Sequence, residues 1–194
     1  MDFTEMPVPV VPGLSRKQIE QSALEFLLIV APECLEAPVP VPVREIFEDR
    51  LDVFDYKALV GKNIKGLDGV TNVTKREVTL PSATYKRLEN GDCRARFTLA
   101  HEFGHMILHG NLALTQDLAS ADSVMFARRS QLRAFEDPEW QANAFGAAVL
   151  MPYPMMRLLY KQGLMSVENV METFHVSEPA AKLRVTQLKT EFMK

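Results

Sequence analysis

The chain has few cysteines and little excess of charge of either sign. Its 194 residues include two cysteines, Cys34 and Cys93, and carry a formal net charge of −3. Two cysteines so far apart in sequence form neither a disulfide scaffold nor a cysteine zinc site, and they fit a reducing cytoplasm. A net charge this small excludes the global basic field with which many proteins hold nucleic acid.

Long apolar runs are also missing. None approaches the roughly 20 apolar residues of a membrane helix, so the sequence predicts no membrane attachment. The opening residues combine acidic side chains with prolines, unlike the basic start of a signal peptide. We therefore expect a cytoplasmic protein whose residues 1–14 form a flexible, proline-rich tail. With 47% hydrophobic and 24% charged residues, the remainder can bury one sizeable core.

One pentapeptide carries most of the chemical information, and it reads His101-Glu102-Phe103-Gly104-His105. Positions four apart on a helix lie one turn above each other, so both imidazoles project from one face at a spacing that suits a single Zn²⁺. Glu102 lies beside them and can act as the general base that takes a proton from water. The pattern is typical of zinc hydrolases. It predicts one zinc ion per chain, with Glu102 as the catalytic residue.

The residues around the pentapeptide favour a helix. Apolar side chains at 97, 99, 100, 103, 106, 107 and 108 follow helical periodicity and do not alternate as in a strand. Asp92 is the predicted N-cap and Gly110 the predicted stop. His109 continues the same helix, which cannot curl three successive ligands around one ion. We therefore predict that His109 contacts the last carbonyls of the helix rather than the metal.

A second predicted helix, within residues 135–152, offers the missing third ligand. Pro138 fits its first turn, Pro152 ends it, and small residues along one face permit close approach to another helix. Glu139 is the best candidate, because the arrangement resembles that of gluzincins, in which a glutamate from a second helix completes the metal site. Asn143, one turn later, would accept an N–H from a ligating histidine.

Other carboxylates remain alternatives to Glu139 at this stage, namely Asp122, Glu136 and Asp137. The first of them lies in the stretch 111–134, which we interpret as a loop over the cleft. Three arginines of this loop, at positions 128, 129 and 133, can engage an acidic partner, but a solvated loop edge is the preferred interpretation.

The two predicted helices together resemble the ImmA/IrrE family of bacterial and phage metallopeptidases. The similarity is carried by the string from Arg96 to His109 and by Glu139-x-x-Ala-Asn-x-Phe-x-Ala-x-x-Leu-Met-Pro152. In weaker form it extends over about residues 18–190, including a closing string from Phe174 to Arg184. One departure is His175, which stands where the family often has glycine.

The resemblance implies a site, a location and a partner. It implies that His101, His105 and Glu139 bind zinc, and that Glu102 is the base. It also implies a cytoplasmic protein paired with a helix-turn-helix repressor, which it cleaves or inactivates.

The segment before the pentapeptide contains predicted helices and strands. Ser15 caps a helix with an apolar stripe, and a short helix follows near residues 43–50. Residues 51–54, 68–73 and 77–80 are predicted strands of a small antiparallel sheet. The edge of this sheet either holds the substrate as an added strand or only covers the metal helix. Tyr85, and Tyr153 further along, are candidate donors to the oxyanion.

Three helices are predicted after Pro152, over residues 153–162, over 167–174 with a Ser166 cap, and from Glu178 onward with a Ser177 cap. The last two resemble a helix-turn-helix motif, whose possible phosphate contacts are Lys182, Arg184 and Lys189. No aromatic or amide-rich recognition face accompanies these charges. We therefore predict packing or partner docking, with DNA binding as the alternative.

The sequence as a whole predicts an α+β fold. It has a gluzincin-like core with a small antiparallel sheet, the HExxH helix and a second ligand helix, followed by a C-terminal helical appendage. The predicted domain boundaries are 1–14 for the tail, 15–163 for the metallopeptidase domain and 164–194 for the helical segment. The predicted function is a cytoplasmic zinc endopeptidase that regulates transcription in a stress response. The alternative is a non-enzymatic anti-repressor with a structural zinc site.

Overall fold

Helices dominate the computed structural model, which describes residues 7–9, 11–61, 66–110, 126–128 and 133–193. The α-helices are α1 (Arg16–Val30), α2 (Val43–Asp49), α3 (Ser82–Glu89), α4 (Cys93–Gly104), α5 (Pro138–Leu150), α6 (Tyr153–Lys161), α7 (Val167–Phe174) and α8 (Glu178–Phe192). The strands are β1 (Pro7–Pro9), β2 (Lys57–Gly61), β3 (Val70–Asn72), β4 (Glu77–Pro81) and β5 (Phe126–Arg128). This composition confirms the predicted α+β class.

Side-chain caps start several of these helices where the sequence predicts. The hydroxyl of Ser15 accepts the backbone N–H of Gln18 in a reciprocal capping box at the start of α1. Asp92 accepts the N–H of Ala95 at 2.7 Å, so α4 begins with the predicted cap. The end of α4 differs from the prediction, because a π-helical turn over His105–His109 follows it directly.

The larger sheet is mixed, so the prediction of an antiparallel sheet is wrong. Its strand order is β2-β4-β3, with β2 parallel and β3 antiparallel to the central strand β4. Leu51–Phe54, predicted as a strand, is a 3₁₀ turn that packs Leu51 into the core. A run of four residues is too short for periodicity to separate a strand from a helical turn, and here the chain turns at once into β2.

The described residues of the predicted tail, 7–9 and 11–14, contact other segments of the chain. Strand β1 pairs antiparallel with β5 in a separate two-stranded sheet. Val11 is buried, and the N–H of Leu14 donates to the carbonyl of Phe135 at 3.0 Å. These contacts bring residues 11–14 against the segment that leads into α5.

One aromatic cluster joins α1 to the two helices expected to carry the metal site. The ring of Phe26 on α1 lies 5.4 Å from that of Phe103 on α4 and 5.8 Å from that of Phe145 on α5, measured between centroids. Phe174 and Ala181, from the C-terminal helices, are fully buried members of the same core. The C-terminal segment therefore shares its core with the helices of the predicted metallopeptidase domain.

A buried ion pair ties α8 to α1. Both terminal nitrogens of Arg184 donate to the carboxylate of Glu20, one of them at 2.9 Å, and the guanidinium also donates to the carbonyl of Met151 at 2.8 Å. Arg184 is 3% exposed. It therefore holds the fold together and is not free to contact DNA phosphates, unlike the exposed Lys182 and Lys189.

Two glycines let α4 and α5 approach closely. A Cβ at Gly104 would lie 2.8 Å from the Cα of Ala142, and one at Gly146 would lie 3.1 Å from the backbone nitrogen of His101. Only a residue without a side chain fits at such distances. The predicted close approach is therefore present, but Gly104, Ala142 and Gly146 make it, and the sequence pattern had not singled out these residues. It brings the two helices of the candidate ligands within side-chain reach.

No helix in the described part of the chain is long and apolar enough to cross a membrane.

Candidate metal centre

Helices α4 and α5 bring three predicted ligands together. The Nε2 atoms of His101 and His105, one turn apart, are 3.0 Å from each other. The carboxylate of Glu139 faces both, with one oxygen 3.4 Å from Nε2 of His101 and the other 3.4 Å from Nε2 of His105. Among the described residues, these three form the group of side chains placed to share a metal ion.

The triangle has the dimensions of a zinc site. Bonds of about 2.0–2.1 Å in a tetrahedron place neighbouring ligand atoms about 3.3 Å apart, and the observed separations are 3.0 and 3.4 Å. Two imidazoles and one carboxylate with an open fourth position form the donor set of a catalytic zinc site. The residues present therefore fit the metal that the motif implies.

Asn143 fixes the orientation of His101. Its Oδ1 lies 2.9 Å from Nδ1 of the imidazole and can only accept, so Nδ1 carries the proton. The lone pair of His101 is then on Nε2, the atom that faces Glu139. The structure thus places Asn143 in the outer position proposed for it from the sequence.

His105 is oriented by a residue pair that the sequence did not reveal. Its Nδ1 lies 3.0 Å from Nδ1 of His109, whose Nε2 lies 3.0 Å from Oε1 of Gln141. The prediction that His109 contacts the last helix carbonyls is therefore wrong. His109 and Gln141 are both buried. No single-sequence signal links them, because they are brought together only by the packing of α5 on the π-helical turn.

Two backbone carbonyls determine the direction of the hydrogen bonds that link Gln141, His109 and His105. Nε2 of Gln141 lies 2.9 Å from the carbonyl of Pro12 and 2.8 Å from that of Phe135, so it donates to both. Its Oε1 then accepts from Nε2 of His109, whose Nδ1 accepts from Nδ1 of His105. The lone pair of His105 is therefore on Nε2, as a metal ligand requires.

Charge at the centre favours a cation. Burial lowers the pKa of His109 to about 4, which keeps this imidazole neutral near pH 7. Burial also disfavours the charged form of His101, but Glu139 and Glu102 outweigh it and raise the pKa of that imidazole. In the protonated forms of His101 and His105, hydrogen bonds from Nε2 to Glu139 hold the pKa of that carboxyl far below its usual range. The ionised carboxylate thus stabilises positive charge placed among the three ligand atoms.

Glu102 is buried beside the ligands and held by the sheet. The hydroxyl of Thr71 on β3 donates to Oε2 of Glu102 at 2.8 Å. Gly69 passes so close that a Cβ there would lie 3.0 Å from Cγ and 3.1 Å from Oε1 of Glu102. The sequence places Thr71 in a strand but carries no signal that this strand contacts the motif glutamate. Because residue 69 is a glycine, no side chain at this position covers Oε1 of Glu102.

A family model described as the IrrE N-terminal-like domain, Peptidase_M78, matches residues 89–186. This match spans half of the chain and includes α4, α5 and all three candidate ligands. The chain belongs to this family. The resemblance predicted from the pentapeptide and the second helix is therefore confirmed.

A solved structure described as a Mycobacterium tuberculosis transcriptional regulator has a similar fold, with a TM-score of 0.52 and 15% sequence identity. The alignment covers 85% of this chain and 45% of that one, so the chain spans under half the length of its structural neighbour. At this identity the likeness concerns the fold. No curated protein matches the sequence significantly.

In this IrrE-like chain, two alternative ligands are engaged elsewhere. The carboxylate of Glu136 pairs with Arg133 at 2.7 Å, and that pairing lowers its pKa. Asp137 is the N-cap of α5 and accepts the N–H of Glu139 at 3.0 Å. Asp122, with most of the predicted loop 111–134, lies outside the described residues.

The two tyrosines predicted to donate to the oxyanion contact residues other than the metal ligands. The hydroxyl of Tyr85 donates to Glu48, and its ring packs against Phe47. Tyr153 packs edge-on against Phe192. In the described part of the chain no hydrogen bond connects either hydroxyl with the metal ligands, so both assignments stay predictions without a supporting contact.

Proposed function

We propose that the protein is a zinc-dependent endopeptidase. The observation that carries this proposal is the triangle of ligand atoms, in which each imidazole has its Nδ1 occupied and its Nε2 directed at the carboxylate of Glu139. A structural zinc site is closed by four protein ligands, whereas three ligands with a buried glutamate alongside are typical of hydrolytic sites. Membership of a peptidase family supports the same conclusion.

His101, His105 and Glu139 would hold the zinc ion, which when bound supplies Lewis acidity and makes water acidic enough to lose a proton near neutral pH. Glu102 takes that proton at Oε1, because Oε2 is engaged by Thr71. The same carboxyl group then donates the proton to the amine that leaves as the peptide bond breaks. Thr71 holds the carboxylate in one orientation, and Asn143 and His109 hold the imidazoles in theirs.

The sheet supports a polypeptide substrate. β3 is an edge strand, and it lies directly beside Glu102. An extended segment added to a sheet edge is held by backbone hydrogen bonds with little demand on its sequence. We infer that the substrate presents such a segment, next to β3 and above the metal ligands.

We further propose a cytoplasmic regulatory role, in which a helix-turn-helix repressor is cleaved or inactivated, as in a stress response. The support is family membership, together with a structural neighbour described as a transcriptional regulator. The competing function is an anti-repressor that acts by binding alone around a structural zinc site. The buried carboxylate of Glu102 and its hydrogen bond from Thr71 favour the enzyme, because binding alone needs no buried base.

Glu102→Gln separates the two functions. The variant keeps all three ligands and a side chain of the same size, so we expect unchanged zinc content and loss of hydrolysis, because an amide accepts no proton from water. Measurements are zinc content and derepression of a reporter controlled by a candidate helix-turn-helix repressor, with cleavage of that repressor followed by mass spectrometry. Glu136→Gln is the matched control and should behave as wild type. Equal derepression by wild type and Glu102→Gln would establish the non-enzymatic function.

A further inference from the structure

A groove of about 810 Å³ lies between α1, α4, α5 and α8. Its lining is mainly apolar and includes Phe97, Trp140, Ala144 and Leu183. Leu183 is 60% exposed on the wall formed by α8. Pockets that take small organic ligands have volumes of about 300–1,000 Å³ and mostly apolar walls with a few polar groups. The groove has this size and character.

The groove adjoins the metal centre without including it. Neither the three metal ligands nor Glu102 line it, but Asn143 does, and the Oδ1 of this residue accepts from Nδ1 of His101. Phe97 lies one helical turn before His101 on α4. An occupant would thus contact the residue that orients a metal ligand.

The charged groups at the groove give an excess of positive charge. Arg16 lies over the ring of Trp140, 5.2 Å from its centroid, and has no ion pair among the described residues. Arg94 shares its one acidic partner, Asp68, with Arg87. The remaining pair at the groove, Arg184 with Glu20, is internally neutral, with Arg184 buried and Glu20 half-buried. Among the described residues that line the groove, no carboxylate is left to balance Arg16.

The first turn of α8 adds positive potential at the same place. Ser177, Pro179 and Ala180 line the groove at the N-terminus of a 15-residue helix, whose first-turn acid, Glu178, is exposed and is not part of the lining. The hydroxyl of Ser177 makes no capping hydrogen bond there. Backbone N–H groups and the helix dipole at such an end favour a negatively charged group. Two independent sources of positive charge therefore flank one apolar groove.

We propose that this groove binds an amphipathic organic anion, a small molecule with an apolar chain and one carboxylate. The chain lies on Phe97, Trp140 and Leu183, and the carboxylate is directed to Arg16 and the N-terminus of α8. The site can be tested apart from hydrolysis, because its lining includes neither Glu102 nor the three metal ligands, although Asn143, which orients His101, lies in its wall.

Trp140 makes the site directly observable, because it is the single tryptophan of the chain. The experiment titrates the zinc-loaded full chain with dodecanoate, below its micelle-forming concentration, and records tryptophan emission. Dodecanol and dodecyltrimethylammonium are the neutral and cationic probes of equal chain length. We expect saturable binding in the order dodecanoate, dodecanol, dodecyltrimethylammonium. Equal affinity for the three probes, or no change in emission, would overturn the proposal.

Two leucines provide a matched pair of variants. Leu183 and Leu28 are each 60% exposed on a helix, but only Leu183 lines the groove. Leu183→Glu should weaken dodecanoate binding about tenfold or more, and Leu28→Glu should leave it unchanged. Equal losses in both variants would place the binding elsewhere.

Arg16→Gln tests the charged end of the site. Calorimetry is used for this variant, because Arg16 lies over the reporting tryptophan. The preference for dodecanoate over dodecanol should fall about threefold, as expected for a partly exposed charge, while dodecanol binding stays the same. An unchanged preference would remove the proposed anion contact.

Sedimentation of wild type and Leu183→Glu completes the test. If wild type is a dimer and the Leu183→Glu substitution dissociates it, a second copy of the chain covers the groove.

Discussion

At the scale of single residues, proton positions decide whether the histidines can bind metal. His101 and His105 each have two ring nitrogens, and only Nε2 faces Glu139. Asn143 sets the tautomer of one ring by a direct contact. The tautomer of the other is set through His109 and Gln141 by the carbonyls of Pro12 and Phe135, so the N-terminal segment takes part in preparing the site.

Gln141→Met tests this relay. Methionine has a similar size but cannot donate to the two carbonyls or accept from His109, so the protonation of the relay is no longer fixed. We expect zinc affinity to fall about 10- to 100-fold, as is usual when an outer partner of a ligand is removed. Stability should fall as well, by about 1–3 kcal/mol, because the buried His109 is left without its hydrogen-bond acceptor. Zinc affinity is measured by competition with a chelator.

The tautomer of His105 distinguishes a positioning role of Gln141 from a merely structural one. The ¹⁵N chemical shifts of His105 in the metal-free protein should show a mixture of tautomers in Gln141→Met and a single one in wild type. Gln21→Met, at an exposed position on α1, is the matched control and should change neither quantity. A destabilised Gln141→Met with normal zinc affinity and unchanged shifts would limit Gln141 to packing.

At the scale of secondary-structure elements, the distance between α4 and α5 determines the site. His101 and His105 belong to one element and Glu139 to the other, so any change in helix separation changes the 3.4 Å contacts between them. Gly104 on α4 and Gly146 on α5 each leave room for the backbone of the other helix. Thr71 on β3 adds a third element, which holds Glu102.

Gly104→Ala should push the two helices apart. The new Cβ would meet the backbone of Ala142 at 2.8 Å, where only the helices themselves can shift. We expect a loss of about 1–3 kcal/mol in the free energy of unfolding, although alanine is the better helix former, together with weaker zinc binding. Denaturant unfolding and chelator competition measure the two effects.

Gly61→Ala is the matched control for this substitution. Among the described residues, its Cβ would meet the methyl group of Thr79 at 3.7 Å, an ordinary contact. This variant should therefore keep normal zinc affinity. If Gly104→Ala also bound zinc normally, the close approach of α4 and α5 would not be a condition for the metal site.

At the scale of the whole molecule, one core connects the metal helices with the C-terminal helices. Phe26, Phe103 and Phe145 pack together, and Phe174 belongs to the same core. The ion pair of Arg184 with Glu20 closes α8 onto α1. A metal ion that joins α4 to α5 therefore stabilises the centre of the fold rather than a peripheral loop.

Zinc should raise the melting temperature of the protein, and a chelator should lower it. A ligand that binds only the folded state at a thousandfold excess over its Kd contributes about 4 kcal/mol. Glu139→Ala removes one of three ligands and should lose most of this stabilisation. Glu136→Ala and Glu102→Gln keep all ligands and should retain it. A wild-type melting temperature that zinc leaves unchanged would contradict the assignment of the metal.

Local spacing in the sequence was sufficient for the chemistry of the site. His101, Glu102 and His105 lie within two turns of one helix, and Glu139 and Asn143 lie one turn apart on another. Fixed helical geometry therefore predicts the relative positions of the residues within each helix before any tertiary contact is known. The helix caps at Ser15 and Asp92 are equally local, and the structure has both.

Contacts between distant segments were decided only by the tertiary structure. The strand directions of the sheet, the 3₁₀ turn at Leu51–Phe54 and the hydrogen bond from Thr71 to Glu102 depend on which elements pack together. The relay from Pro12 through Gln141 to His105 spans more than a hundred residues of sequence. One-dimensional periodicity records which face of an element is apolar but not which element covers it, and for that reason these contacts could not be predicted from the chain alone.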